Sequence, residues 1–409
     1  MRKAQLTIIT TSIVFIEWVE YSLYLYLGAA ISHSLLPKEL GHNALLITFS
    51  IFAISYLARP LGALFFGLYS DYRGRKQPLL FSAFFIGIAT IAIGLIPSYQ
   101  TIGILAPILL LGFRLIQSFA ISGEFNNSAI FLMEHTPKKQ VLAGSFIGFA
   151  SSLGMFIGGI FAALVGSFQS DLSWRSAYII VGILTFIFML LRTKLQESPI
   201  FLHYIEQLKT HKSLPFMRLL KQYKLGLLKI AAVASFMSVY IYTCNFFFIS
   251  YLQTNNGFSL SNTTLIAATV QGLVTLLTPI FALATDKIHF KSMYRFGVIT
   301  LAIMAPTLFI GAHLHNNLIL IIGFILYIIG NGILTAVVFK LMYDFLPAEI
   351  RCTGTSFTWS LSAAMLGSTA PILATYFIND LDAFYLPAIY VMLLAIFAYI
   401  ASFSKQSQH

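Results

Sequence analysis

Long apolar runs alternate with short polar gaps along the whole chain, and each run reaches the roughly 20 residues that a helix needs to cross a bilayer. The pattern predicts twelve spans, at about 7–36, 43–70, 77–97, 103–134, 140–167, 173–193, 225–254, 261–287, 291–313, 316–346, 350–378 and 382–404. Several exceed the length of a perpendicular crossing, so tilt or protrusion is expected. The first run is too long for the apolar region of a cleavable signal and carries Glu17 and Glu20, so it is expected to stay as span 1. The expected fold class is an all-α membrane protein.

Composition agrees with that pattern. With 58% hydrophobic residues, 10% charged residues and a mean hydropathy of +0.84, the 409 residues do not suit a soluble domain. The net charge of +11 would fit a polyanionic partner, but the positions of the cations argue for topology instead. Of 25 Lys and Arg, 20 lie in the termini, the even-numbered loops or the helix ends beside them. Arg59, Arg114 and Lys340 lie within spans, which leaves only Lys38 and Arg175 for the opposite side. By the positive-inside rule both termini are cytoplasmic, in a multi-pass protein of the cell inner membrane with no nucleic-acid partner. Cys244 and Cys352 fall on different spans at different depths, so neither a disulfide nor a metal site is expected.

Residues 194–224 interrupt the spans with Lys194, Lys209, Lys212, Arg218, Lys221 and Lys224 among scattered Leu and Phe, a cytoplasmic amphipathic linker. It separates 1–193 from 225–409, six spans from six. The halves echo each other. Glu134-x-x-Pro137 followed by Gly144 recurs as Asp344-x-x-Pro347 followed by Gly354, an offset of 210. Gly67-x-x-x-Asp71 has a weaker counterpart in Ala282-x-x-x-Asp286, an offset of 215. Two pseudo-symmetric six-helix bundles follow, an arrangement suited to a transporter that rocks around a cavity.

The loop after span 2, Gly67-Leu-Tyr-Ser-Asp71-Tyr-Arg73-Gly74-Arg75-Lys76, resembles the signature of the major facilitator superfamily. Arg59-Pro60-Leu61-Gly62, Ile96-Pro97-Ser98-Tyr99, Arg114-x-x-Gln117, Ser122-Gly123-Glu124-Phe125, Trp174-Arg175 and Glu197-Ser198-Pro199 are similar to its metabolite:proton symporter family, proline/betaine branch. Glu17-Trp18-x-Glu20-Tyr21 fits that family's first span, and Leu346-Pro347-x-x-Ile350-Arg351 anchors the sparser likeness of the second half. The resemblance implies proton-coupled transport of a small zwitterion or organic acid by alternating access, without a cofactor. Tyr72, Ser118 and Ser122 depart from the family pattern, and the chain ends at His409 without the C-terminal coiled coil of the osmosensing member. Osmotic gating by that device is not expected.

Charges inside a bilayer are costly, so those within spans are candidates for function unless paired. Glu17 or Glu20 reads as the proton carrier with Arg59 as its regulator, or else as a permanent salt bridge between spans 1 and 2. Glu124 reads as a coupling acid or an ammonium ligand, with Asn127 on the same helix face, or as a packing partner near Gly123. Arg114 suits a substrate carboxylate held in bidentate fashion, or an internal partner. Lys340 reads as a substrate ligand or, more simply, as the partner of Asp344 one turn on. Trp18, Tyr21, Tyr24, Tyr240, Tyr242 and Trp359 offer a cation–π cage for a quaternary ammonium, or interface and lipid-facing aromatics. Asp71, Arg73, Arg75 and Glu134 read as a cytoplasmic gate network, against simple loop solvation.

No phosphate-binding loop occurs, and His33, His313 and His315 lack an accompanying nucleophile or acid array. An enzyme is not expected. Neither is a metal or cofactor, and the expected partners are the bilayer, protons and a small solute, with the protein as a monomer. The runner-up function is export or exchange of amino-acid-like or amphiphilic solutes. A transporter-shaped nutrient sensor is disfavoured by the short tail after residue 404.

Overall fold

The computed structural model describes residues 3–41, 43–168, 171–208 and 220–403. Among them every regular element is helical. Eleven helices are long and apolar enough to span a membrane: α1 (Lys3–Tyr26), α2 (Asn43–Arg73), α3 (Lys76–Leu95), α4 (Leu105–His135), α5 (Pro137–Gly166), α6 (Leu172–Arg192), α7 (Lys224–Asn256), α8 (Leu265–Ala284), α9 (Phe290–His313), α10 (Asn317–Tyr343) and α11 (Arg351–Asn379). A twelfth apolar helix, α12 (Leu386–Ala401), has 16 residues, fewer than the sequence pattern suggests.

The helices are less continuous than their hydropathy. Span 1 ends early, and Gly28–Leu35 forms a separate helix after a break at Leu27. The helix of α2 is interrupted at Tyr56–Leu57. Pro60 has no N–H to offer the Tyr56 carbonyl, which takes a tighter bond from Arg59 N at 3.0 Å instead. Between Leu105–Ile121 and Phe125–His135, α4 loosens at Ser122–Glu124, where Gly123 N and Glu124 N bond back three residues to Ala120 O and Ile121 O. Both α7 and α11 widen into π-helical turns, at Tyr242–Phe247 and Ala363–Gly367. Of the linker, Pro199–Leu208 is helical, while Lys209, Lys212 and Arg218 lie outside the described residues.

The chain divides into two compact units, Met1–His135 with Ala150–Thr210, and Thr136–Phe149 with His211–His409. In the first, Leu23, Tyr24, Ile93, Leu110, Trp174 and Tyr178 belong to one buried cluster. Helix packing in lipid depends on close backbone approach more than on hydrophobic exclusion. Accordingly, a Cβ on Gly182 would lie 2.4 Å from Ile91 Cγ1, and one on Gly94 would lie 2.8 Å from the Arg175 carbonyl oxygen. In the second unit Gly323 and Gly330 of α10 serve the same end, with added Cβ atoms 2.6 Å from Leu308 and Leu301 side chains of α9.

Arg175, one of the two cations left for the far side, is a structural clamp. It donates to Gly94 O in the last turn of α3, to Ile96 O just beyond it, and to Ser34 Oγ at 2.9 Å. A cation at a helix C-terminus meets both the orphan carbonyls and the negative end of the dipole.

Candidate functional site

Three of the intramembrane acids from the sequence reading are buried in the first unit, in different electrostatic settings. Glu20 of α1 pairs with Arg114 of α4 at 2.8 Å, both side chains almost fully buried. The guanidinium also donates to Gln117 Oε1 at 2.6 Å and Tyr178 OH at 3.2 Å, and lies 3.6 Å above the Tyr24 ring. Gln117 in turn donates to Thr90 Oγ1 at 2.9 Å, and Tyr24 OH donates to Thr48 O at 2.7 Å. Arg114 therefore already has its carboxylate, and that carboxylate is Glu20. Tyr24 serves as the face on which this arginine stacks.

Glu124 is gripped by a residue whose place in the sequence is that of a loop-side cation. Arg192, at the end of α6, meets both carboxylate oxygens, with Nη1 2.8 Å from Oε2 and Nη2 2.5 Å from Oε1. Ser82 and Ser128 hydroxyls donate to the same carboxylate at 3.0 and 2.7 Å. Arg192 spends its remaining donors on Thr10 O, Leu79 O and Ile9 O. The break in α4 makes this possible, because Gly123 lets Phe66 pack directly on the backbone; a Cβ there would lie 2.4 Å from the Phe66 ring. Asn127, one turn on, donates to Ser70 Oγ at 3.2 Å. Helical phase is the signal that could have exposed Arg192, since it follows Trp174, Tyr178, Val181 and Thr185 on the buried face of α6.

Among the described residues, Glu17 Oε2 is buried without a hydrogen-bond partner, as is Glu20 Oε1; but Glu20 Oε1 lies 2.8 Å from Arg114 Nη1 in an ion pair, and no such pair is found for Glu17. Its charged neighbours are Arg59, Glu124, Glu20 and Arg192. Arg59 is half-buried, with its guanidinium 3.9 Å from the Tyr56 ring centroid. The ion-pair partner of Glu20 is thus Arg114, while Arg59 stands in the field of Glu17. Trp18 and Tyr21 pack together at 5.2 Å between ring centroids, and Trp18 also meets Phe125 at 6.2 Å.

At the α2–α3 loop the structure brings together Asp71, Arg75 and Glu134. Arg75 Nη1 is 2.6 Å from Asp71 Oδ1 and 2.8 Å from Ser70 O, and Nε is 3.4 Å from Glu134 Oε2. Arg73 is exposed and outside this cluster. Two members were not foreseen. Glu197, after α6, accepts from the backbone N–H groups of Arg75 and Lys76 at 2.8 and 3.1 Å, which caps the N-terminus of α3. Ser198 donates to Glu134 Oε2. Gly74 permits this closure because its φ of +113° lies outside the range of L side chains, and a Cβ would sit 2.4 Å from Glu197 Oε2.

In the second unit Lys340 pairs with Asp344 one turn along. Lys340 also borders a cleft of about 200 Å³ with Lys138, Lys139 and Asp286.

The Major Facilitator Superfamily family model matches residues 10–357. The chain belongs to the major facilitator superfamily. It is a multi-pass membrane transporter rather than an enzyme. Among curated members, it is similar to the putative proline/betaine transporter of Staphylococcus aureus (strain MSSA476), with 26% identity covering 98% of this chain and 87% of that one. It is 27% identical to the proline/betaine transporter of Escherichia coli (strain K12), covering 93% and 79% of the two chains. Solved superfamily structures share the fold. The proton:xylose symporter XylE bound to 6-bromo-6-deoxy-D-glucose superposes with a TM-score of 0.76 at 14% identity, over 99% of this chain and 96% of that one. The human organic anion transporter MFSD10 gives 0.68 at 15% identity, over 97% and 100%.

Proposed function

We propose that this superfamily member is a proton-coupled symporter that imports a small zwitterion or organic acid by alternating access, with Glu17 as the proton carrier. The observation that carries this reading is the buried Glu17 oxygen without a hydrogen-bond donor, beside two acids that an arginine already holds. Protonating Glu20 or Glu124 breaks a buried ion pair. Adding a proton at Glu17 Oε2 breaks no hydrogen bond, and Arg59 is the nearby cation whose field changes with that proton. The similarity to proline/betaine transporters supports the substrate class. Glu20 with Arg114 and Glu124 with Arg192 then act as fixed braces, and Asp71, Arg75 and Glu134 as a gate-side latch completed by Glu197 and Ser198.

The same reading takes the protein as a monomer in a bacterial inner membrane with both termini cytoplasmic. It treats 1–193 and 225–409 as six-helix halves joined by 194–224. The distribution of Lys and Arg supports that orientation.

Uptake of radiolabelled proline, betaine, 2-oxoglutarate, citrate and shikimate into proteoliposomes tests it, with and without an inward proton gradient. Gradient-dependent accumulation of one solute is expected, lost in Glu17→Gln while solute counterflow persists. Depletion of a preloaded solute by the inward gradient would replace symport with export.

A further inference from the structure

Among its described residues the second unit fully buries no acid or arginine, yet it buries a polar centre of its own. Tyr240 of α7, fully buried, donates to Asn331 Oδ1 of α10 at 2.8 Å, and Thr335 donates to the same oxygen at 3.2 Å. Buried polar side chains between membrane helices are costly and need a reason. Three further hydroxyls in this region, Tyr294 OH, Tyr327 OH and Thr243 Oγ1, are buried without a hydrogen-bond partner among the described residues, with the Tyr327 ring 6.2 Å from that of Tyr240. Tyr294 is close enough to Tyr240 to interact electrostatically, and Thr243 lies in the π-helical turn that begins two residues after Tyr240. Such turns collect at functional positions.

The centre also has a counterpart in the first unit. Glu20 on the first span reaches Arg114 and Gln117 on the fourth; Tyr240 on the seventh reaches Asn331 on the tenth. Tyr240 follows Glu20 by 220 residues and Asn331 follows Gln117 by 214, near the offsets of 210 and 215 between the repeated motifs. The first unit thus places an ion pair where the second places a neutral hydrogen bond.

We infer that Asn331 is the second unit's carboxylate-binding residue, positioned by Tyr240 and Thr335 so that its amide NH2 donates to an oxygen of the substrate. Two hydroxyls occupy the carboxamide oxygen, which leaves the NH2, able only to donate, as the end of Asn331 available to a ligand. A donor pair without charge suits a carboxylate whose own counter-charge travels with it, as in a zwitterion. The inference rests on the proposed function for the substrate class alone and not for proton coupling.

Counterflow of radiolabelled proline and betaine in proteoliposomes, with no gradient imposed, tests it. Each is competed by the unlabelled solute and by its carboxylate-free analogue, L-prolinamide or choline. Wild type is expected to prefer the carboxylate. Asn331→Asp, which replaces the donor with an anion of the same shape, is expected to raise the KM for the carboxylate solute about tenfold or more and to erase the preference over the analogue. Tyr240→Phe keeps the packing and releases the amide, and is expected to raise KM by less with little change in kcat. Thermal unfolding of each purified variant separates misfolding from lost recognition, and Asn331→Leu supplies a side chain of similar shape without a donor if Asp is not tolerated. Retained preference for the carboxylate in folded Asn331→Asp or Asn331→Leu overturns the assignment. A wild type that exchanges no carboxylate solute overturns both the assignment and the substrate class, whereas loss of gradient-driven uptake with exchange intact overturns only the coupling.

Discussion

Arg192 holds both carboxylate oxygens of Glu124 across the first unit, joining the end of α6 to the break in α4. The pair is almost completely buried, and every oxygen of Glu124 has a second, hydroxyl donor. Breaking a buried pair from one side leaves an uncompensated charge, which costs about 3–5 kcal/mol, whereas removing both charges together costs far less. Arg192→Met is therefore expected to lower the Tm of the detergent-purified protein sharply, and Arg192→Met with Glu124→Gln to recover most of the loss. A double variant no more stable than the single one would deny the brace.

The two acids of α1 are expected to separate by stability. Glu20→Gln strands Arg114 among Tyr24, Gln117 and Tyr178, so it should lower Tm by as much as the loss of Arg192. Glu17→Gln removes no hydrogen bond at Oε2 and is expected to stay within about 1 kcal/mol of wild type. Differential scanning fluorimetry in one detergent compares them directly, and equal losses would contradict the distinction drawn between them.

Arg75 and Arg73 stand two residues apart and are expected to behave oppositely. Arg75 is buried against Asp71, Glu134 and the Phe201 ring, 5.5 Å from its guanidinium carbon, and Arg75→Ala leaves two acids without their cation. It should destabilise the protein and abolish transport. Arg73→Ala, at an exposed position, should change stability by no more than about 0.5 kcal/mol. Comparable defects in both would mean that charge in the loop matters more than the buried cluster.

Gly74→Ala combines an unfavourable φ with a Cβ placed on Glu197 Oε2. Displacing Glu197 uncaps α3, so a loss of about 1–3 kcal/mol is expected. Limited proteolysis of the α2–α3 loop should accelerate in parallel. An unchanged cleavage rate would show that Glu197 is not needed to close the loop.

The sequence by itself determined the multi-pass helical architecture, because apolar length and turn residues such as those at Gly67–Lys76 are local properties that a bilayer reads without help from tertiary contacts. It also singled out Glu17, Glu20, Arg114 and Glu124, since any charge within an apolar run stands out. Which charge meets which was decided only by the tertiary structure. Arg192 reads as a loop cation until α6 is turned so that its Tyr178 and Thr185 face is buried, and Glu20 lies nearer in sequence to Arg59 than to the Arg114 that it pairs with. The interruptions at Tyr56–Leu57 and Ser122–Glu124 and the π-helical turns of α7 and α11 lie inside runs that the hydropathy pattern reads as single spans, so it does not mark them. Pairing and bending depend on the rotation and depth of each helix against its neighbours. Those are set by close contacts such as Gly123 on Phe66, which join residues far apart in the chain.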